Sequence, residues 1–145
     1  MRVTAIRILR WLNIILPLLL GLLIYLTYRP DTMVTEFFHW LPFPIGRNAP
    51  QSGLERFLCN YGADILWAYS LTAYTMYWFQ GVGKSQKSAV VLCLATELGV
   101  ELFQLTGIIK ATFDIWDIVL EFAVTGGIAL ICNLKQITIR GTDRC

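Results

Sequence analysis

The chain has 145 residues, of which 56% are hydrophobic and only 15% charged, with a mean hydropathy of +0.57 and a formal net charge of +2 at pH 7. That balance lies outside the usual range of water-soluble domains, and the chain is too short to hide several long apolar segments in a core of its own. It therefore excludes an ordinary soluble enzyme and makes a lipid bilayer the expected partner; nucleic acid is not expected as one.

Crossing ~30 Å of hydrocarbon at ~1.5 Å per residue needs roughly 20 mostly apolar residues. The first segment of that kind runs from about 8 to 28, with Pro17 as a tolerated kink and Asn13 as its one strongly polar side chain. A basic start ahead of an apolar run also opens a signal peptide, but the run is long and Leu26-Thr27-Tyr28-Arg29 has no small-residue cleavage signature, so an uncleaved span is expected. An outer loop over 29–60 follows. Within it Phe37 to Pro44 is too apolar for a solvated connector and is expected to lie in the interface or dip into the bundle. Its His39, the one histidine of the chain, reads as an interfacial loop residue and gives no basis for a histidine-ligated zinc site.

The second span is expected over about 61–79, ending in Tyr74, Tyr77 and Trp78, aromatics suited to the headgroup level. The third covers about 88–106. The fourth covers about 115–134, and its Gly126-Gly127 pair is expected to allow close helix contact.

Orientation follows from the basic residues, which are retained on the cytoplasmic side. Arg2, Arg7, Arg10, Lys84, Lys87, Lys135, Arg140 and Arg144 share one side, and only Arg29, Arg47, Arg56 and Lys110 fall on the other. The sequence thus predicts an all-α integral membrane bundle of four transmembrane helices, a single domain over 1–145 with both termini cytoplasmic. Cys59, Cys93, Cys132 and Cys145 have no metal-binding spacing and read as small apolar residues.

The acids carry the chemical information, because a carboxylate in a spanning helix is costly and is kept where the protein interior uses it. Glu97, Glu101 and Gln104 stand at i, i+4 and i+7, on one face of the third span; Asp117 and Glu121 stand at i and i+4 on the fourth, which must pack antiparallel to it. Glu101 and Gln104 are then expected level with Asp117 and Glu121 in the outer half of the membrane, with Asp64 of the second span at a similar depth. Asp114 and Asp117 also suit the cap and the positive dipole end of a helix. Several carboxylates a few ångströms apart need counter-charge from Lys110 and the outer arginines, protons, or a divalent cation such as Mg²⁺ or Ca²⁺. Three chemistries stay open on these residues: recognition of a cationic or polyhydroxyl ligand, metal-dependent work on a lipid-linked headgroup, and proton-coupled transport through Glu97 and Glu101.

Glu101-x-x-Gln104, then Lys110, then Thr112-Phe113-Asp114-x-x-Asp117 and Gly126-Gly127, resembles the signature half of the VanZ-like family of bacterial membrane proteins. Asn60-Tyr61-Gly62-Ala63-Asp64 with Trp67-Ala68-Tyr69 is similar to the acidic opening of that family's preceding span, so the resemblance covers about 60–127. Lys110 stands where the family usually has Arg, and Glu121 where it usually has Asn. The resemblance implies a multi-pass protein of the bacterial cytoplasmic membrane, with Asp64, Glu101, Gln104, Lys110, Asp114, Asp117 and Glu121 as ligand-binding residues. The family's named member is associated with resistance to teicoplanin, and the family has no settled catalytic mechanism. A lipid-linked cell-wall precursor or a glycopeptide is the partner this implies; whether the chain is an enzyme and whether it forms a homo-oligomer stay open.

Overall fold

In a computed structural model, residues 2–29, 33–38, 51–83, 85–109 and 113–142 are described. They form six α-helices and, among the described residues, no strand: α1 (Arg2–Tyr28), α2 (Met33–Phe37), α3 (Gly53–Phe57), α4 (Ala63–Gly81), α5 (Gln86–Leu105) and α6 (Ile115–Thr142). The four long helices, α1, α4, α5 and α6, fall on the four segments where long helices are expected. α1 continues through Pro17, and α6 runs on past 134 into the basic C-terminal stretch.

Among the described residues three stretches are long and apolar enough to cross a membrane: Ile8–Tyr28, Gln86–Leu105 and Ile115–Asn133. α4 has the length, 19 residues, but not the apolarity, because its sequence is rich in Tyr, Ser and Thr. Its position explains the difference. α4 packs against α1, α5 and α6, and the residues it buries are mostly small or polar: Ala63, Asp64, Ala68, Ser70, Thr72, Thr75 and Met76. A helix enclosed by three others has little surface to match to lipid. The outer three instead expose Leu, Ile and Val along their outward faces, among them Leu9, Leu16, Val91, Leu102, Val119 and Leu130. The largest fully buried side chains are Glu97, Glu101, Thr72, Thr125 and Cys93. The usual placement of apolar and polar residues in a water-soluble bundle is inverted.

Contacts along the helices give their directions. Tyr25 meets Asp64, Asn13 meets Tyr69 and Trp11 meets Tyr74 and Tyr77, so α1 and α4 are antiparallel over their shared length. Tyr61 meets Asp114 and Thr72 meets Thr125, so α4 and α6 run parallel. Gln86 reaches the carbonyl of Ala129 at 3.3 Å and Glu97 meets Thr125, so α5 runs against α6. One end of the bundle carries Tyr25, Asp64 and Asp117 and is called the acidic end below. The other carries Arg10 and the aromatic group Trp11, Tyr74, Tyr77 and Trp78, and is called the basic end.

The closest helix contact is not where the sequence suggested. A Cβ built on Gly126 or Gly127 would have nothing within 4 Å, and both residues are exposed. α6 presents Asp117, Glu121 and Thr125 to its neighbours, and a glycine pair immediately after Thr125 is turned off that face. The close approach occurs at Gly21 of α1, where a Cβ would stand 3.3 Å from the Ala63 carbonyl oxygen and 3.7 Å from its Cα.

The long expected outer loop holds two short helices. Phe37 and Phe38, at the end of α2, stack edge to face, with ring centroids 5.1 Å apart; the rest of the apolar stretch over 39–44, with His39, lies outside the described residues. α3 opens with a capping box, in which Glu55 N donates to Ser52 Oγ (3.1 Å) and Ser52 N to Glu55 Oε2 (3.0 Å). A single π-helical turn, Leu58–Gly62, then joins α3 to α4 without a break. At the far end of α5, Gly107 adopts φ 74°, the left-handed conformation that lets the chain turn out of a helix.

Candidate functional site

Three polar stripes converge between α4, α5 and α6. On α4, Asp64, Ala68, Thr72 and Thr75 repeat at helical spacing; on α5, Ala89, Cys93, Glu97 and Glu101; on α6, Asp117, Glu121 and Thr125. Packing these faces together removes the carboxylates from the surface: Glu97 is 0%, Glu101 2%, Asp117 4% and Glu121 2% exposed. Asp64, Glu101, Asp117 and Glu121 lie within Coulombic range of one another, and Glu97 within range of Glu121. The carboxylates form a column that runs from the acidic end to about the middle of the bundle.

At its inner end the column closes on two threonines. Thr125 Oγ1 donates to Glu97 Oε1 at 2.6 Å, and Thr72 Oγ1 lies 2.8 Å from Thr125 Oγ1. A hydroxyl has one proton to give, so Thr72 is the donor of the second bond. Beyond this pair the seam holds Thr75 with Cys93, Ala89 and Met76, all buried.

At its outer end the column meets Arg29. This residue continues the last turn of α1, its N–H bonding the carbonyl of Tyr25 at 2.9 Å. Its guanidinium donates from Nε to the Cys59 carbonyl (3.1 Å), from Nη1 to Tyr25 Oη (3.4 Å), and from Nη2 to the Asn60 carbonyl and to Asp64 Oδ2 (3.3 Å). Tyr25 in turn donates to Asp64 Oδ1 at 2.7 Å. The π-helical turn supplies two of the carbonyls that Arg29 takes, and so aims the Asp64 that follows it. Burial and the charge of Glu55 raise the Cys59 thiol above its ordinary value, in keeping with a packed rather than reactive cysteine.

The expected residues thus divide. Asp64, Glu101, Asp117 and Glu121 come together as the sequence pattern predicts. Gln104 takes part through its own helix, Nε2 donating to Glu101 Oε1 at 3.0 Å. Asp114 is half-buried and caps α6: Oδ1 accepts from Trp116 N (3.0 Å), its carbonyl accepts from Asp117 N (3.1 Å), and Oδ2 accepts from Tyr61 Oη (3.3 Å). Lys110 lies outside the described residues. Glu97, whose role the sequence left open, is the innermost member. Arg29, Tyr25, Thr72 and Thr125 were not singled out as site residues, although Thr125 continues the Asp117 and Glu121 spacing by one turn.

Four buried carboxylate oxygens have no hydrogen-bond partner among the described residues: Glu97 Oε2, Glu101 Oε2, Asp117 Oδ1 and Glu121 Oε2. An unpaired buried acceptor costs free energy that a proton or a bound donor offsets. The one ion pair found among the described residues is Arg29 to Asp64. No three Asp, Glu, His or Cys side chains among the described residues are grouped so as to hold a metal ion, because the acids are strung along the helix axes and do not close on one point. The arrangement suits protons, or an organic cation whose several N–H groups reach successive carboxylates. Comparison of the chain with protein-family models, with curated proteins and with solved structures finds no match.

Proposed function

We propose that the chain is a four-span, VanZ-like protein of the bacterial cytoplasmic membrane, with both termini inside, whose carboxylate column binds a cationic or lipid-linked ligand from the outer face and so affects glycopeptide susceptibility. The observation that carries the ligand-binding part is the set of four buried, unpartnered carboxylate oxygens contributed by α5 and α6. Buried acids of this kind in a spanning bundle mark a functional site. The four-span part is supported by α4, which runs beside α1 for the full distance from Asp64 to Tyr77 and is about as long as the three apolar stretches around it. The orientation is supported by the excess of Lys and Arg at the end where Arg10 lies.

The test uses Glu101→Gln and Asp117→Asn, singly and together, in a host whose teicoplanin susceptibility responds to the wild-type chain. At matched membrane levels the variants are expected to lose most of that response. Unchanged susceptibility in the double variant would remove the column from the function.

The pair Thr72 and Thr125 supports a second reading, a proton-coupled carrier, because it adds two hydroxyls, hydrogen-bonded in series to Glu97, at the inner end of the carboxylate column. Acidification of vesicles driven by a pH step, present in wild type and absent in Glu97→Gln, would separate the carrier from a binding protein.

A further inference from the structure

At the basic end, roughly 20 Å along α4 from Asp64, α1, α4 and α6 line a half-open cavity of about 480 Å³, away from the acidic column. Its walls differ in character. Arg10, Asn13 and Gln80 supply polar groups, while Ile14, Met76, Ile128 and Ile131 supply apolar ones. Among the described residues no acidic side chain lines it, nor the adjoining cavity of about 520 Å³ around Arg10, Trp78 and Gln80. The Arg10 guanidinium lies 5.5 Å over the Tyr77 ring, which holds it beside the opening. Asn13 accepts from Tyr69 through Oδ1 at 2.8 Å, which leaves its amide N–H groups as donors. Cationic and donor groups thus sit at the aromatic level of the bundle, and an apolar wall continues from them toward its middle. That is the layout of an amphiphile with an anionic head.

We propose that this groove between α1, α4 and α6 binds an anionic phospholipid, its phosphate held by Arg10 and Gln80 and one acyl chain laid along Ile14, Met76 and Ile131. Charge complementarity selects the lipid: a phosphodiester without a cationic substituent places only negative charge against Arg10, whereas phosphatidylcholine also brings a quaternary ammonium to an opening whose one charged lining group among the described residues is Arg10. The apolar wall distinguishes a lipid from free phosphate, which would use the opening and leave the wall empty. The inference rests on the bilayer reading of the chain but not on what fills the acidic column.

The experiment is thermal unfolding of the full chain in dodecyl maltoside with added phosphatidylglycerol, phosphatidylcholine or sn-glycerol 3-phosphate. Phosphatidylglycerol is expected to raise the melting temperature by about 5 °C, with little effect from the other two. Arg10→Gln, and separately Ala73→Leu, which fills the cavity, are expected to abolish the difference. Equal stabilisation by phosphatidylcholine, full stabilisation by sn-glycerol 3-phosphate, or an undiminished phosphatidylglycerol effect in Ala73→Leu would overturn the proposal. Should Arg10→Gln fail to fold, Cys132, a half-buried cavity residue, reports on the wild-type groove. In a Cys145→Ser background, its alkylation is expected to slow several-fold with phosphatidylglycerol; no slowing overturns the site. A chain that stays monodisperse without detergent would instead count against the bilayer reading.

Discussion

Thr125 gives its hydroxyl proton to Glu97 across 2.6 Å, between two helices that run in opposite directions. Through this bond the deepest carboxylate is fixed to α6, and through Thr72 to α4, so one hydrogen-bonded chain ties three helices at mid-bundle.

Removing the hydroxyl tests that tie. Thr125→Val keeps shape and volume but strands Glu97 Oε1, and is expected to cost about 1–3 kcal/mol in unfolding followed by circular dichroism in detergent. Thr125→Ser retains the donor and is expected to lose under about 1 kcal/mol, set by the missing methyl. A larger loss in Thr125→Ser than in Thr125→Val would show that the methyl, not the hydrogen bond, matters there.

Arg29 and Asp64 form a partly buried pair at 3.3 Å, with side chains 18% and 12% exposed. A double-mutant cycle with Arg29→Ala and Asp64→Asn is expected to give a coupling of about 1–2 kcal/mol. Arg29→Ala alone is expected to cost more than Asp64→Asn, because it also strips the Cys59 and Asn60 carbonyls of their donor. Arg29→Lys should recover little, since an ammonium lacks the planar fork that reaches several acceptors. Full recovery by lysine would mean that charge alone suffices.

The glycines make opposite forecasts. Gly21→Val forces side-chain atoms against the Ala63 carbonyl and is expected to separate α1 from α4, seen as a fall in melting temperature and faster proteolysis between residues 29 and 60. Gly126→Ala and Gly127→Ala meet open space and are expected to leave stability unchanged or raise it by up to about 1 kcal/mol each through helix propensity. A destabilising Gly126→Ala would point to a helix packed on that face from outside the chain.

Cysteine labelling probes the interior. Cys59 and Cys93 are buried, Cys132 is half-buried, and the Cys59 thiol is shifted upward by burial. A raised thiol holds its proton to higher pH, so the reactive thiolate of Cys59 forms later as pH rises. In the folded protein at pH 8, maleimide is expected to modify Cys132 well before Cys59 or Cys93. Mass spectrometry of the labelled peptides gives the order, and early modification of Cys59 would contradict the packing of the π-helical turn.

Much of this architecture was legible in the sequence because apolar runs of spanning length and the Glu97, Glu101 and Asp117, Glu121 periodicities are local signals. What escaped notice depends on partners distant in the chain. An outer arginine is expected as counter-charge to the acids, but Arg29 is 35 residues from Asp64 and nothing local selects it over Arg47 or Arg56. Thr72 and Thr125 are at home facing lipid or another helix, so their role emerges only once α4 and α6 are seen to lie parallel. The glycine pair misled for the same reason: small residues permit close contact, but the helix face decides whether a neighbour is there. α3 carries a local signal, Ser52-x-x-Glu55, but a helix of five residues between apolar segments is too short to stand out from a loop.

The polarity of α4 bears on how the bundle is assembled. A helix with Asp64 near one end and hydroxyls through its middle partitions poorly into lipid by itself, whereas α1 is apolar enough to enter alone. Along α1 lie the groups that α4 needs: Arg29 and Tyr25 for Asp64, Gly21 for the backbone at Ala63, Asn13 for Tyr69. In a bilayer α1 would therefore act as an internal chaperone, waiting at the insertion site until α4 is synthesised and carrying it in as the second arm of a hairpin. α6 would then enter with its own carboxylates against an α4 that already presents the Thr72 hydroxyl to Thr125.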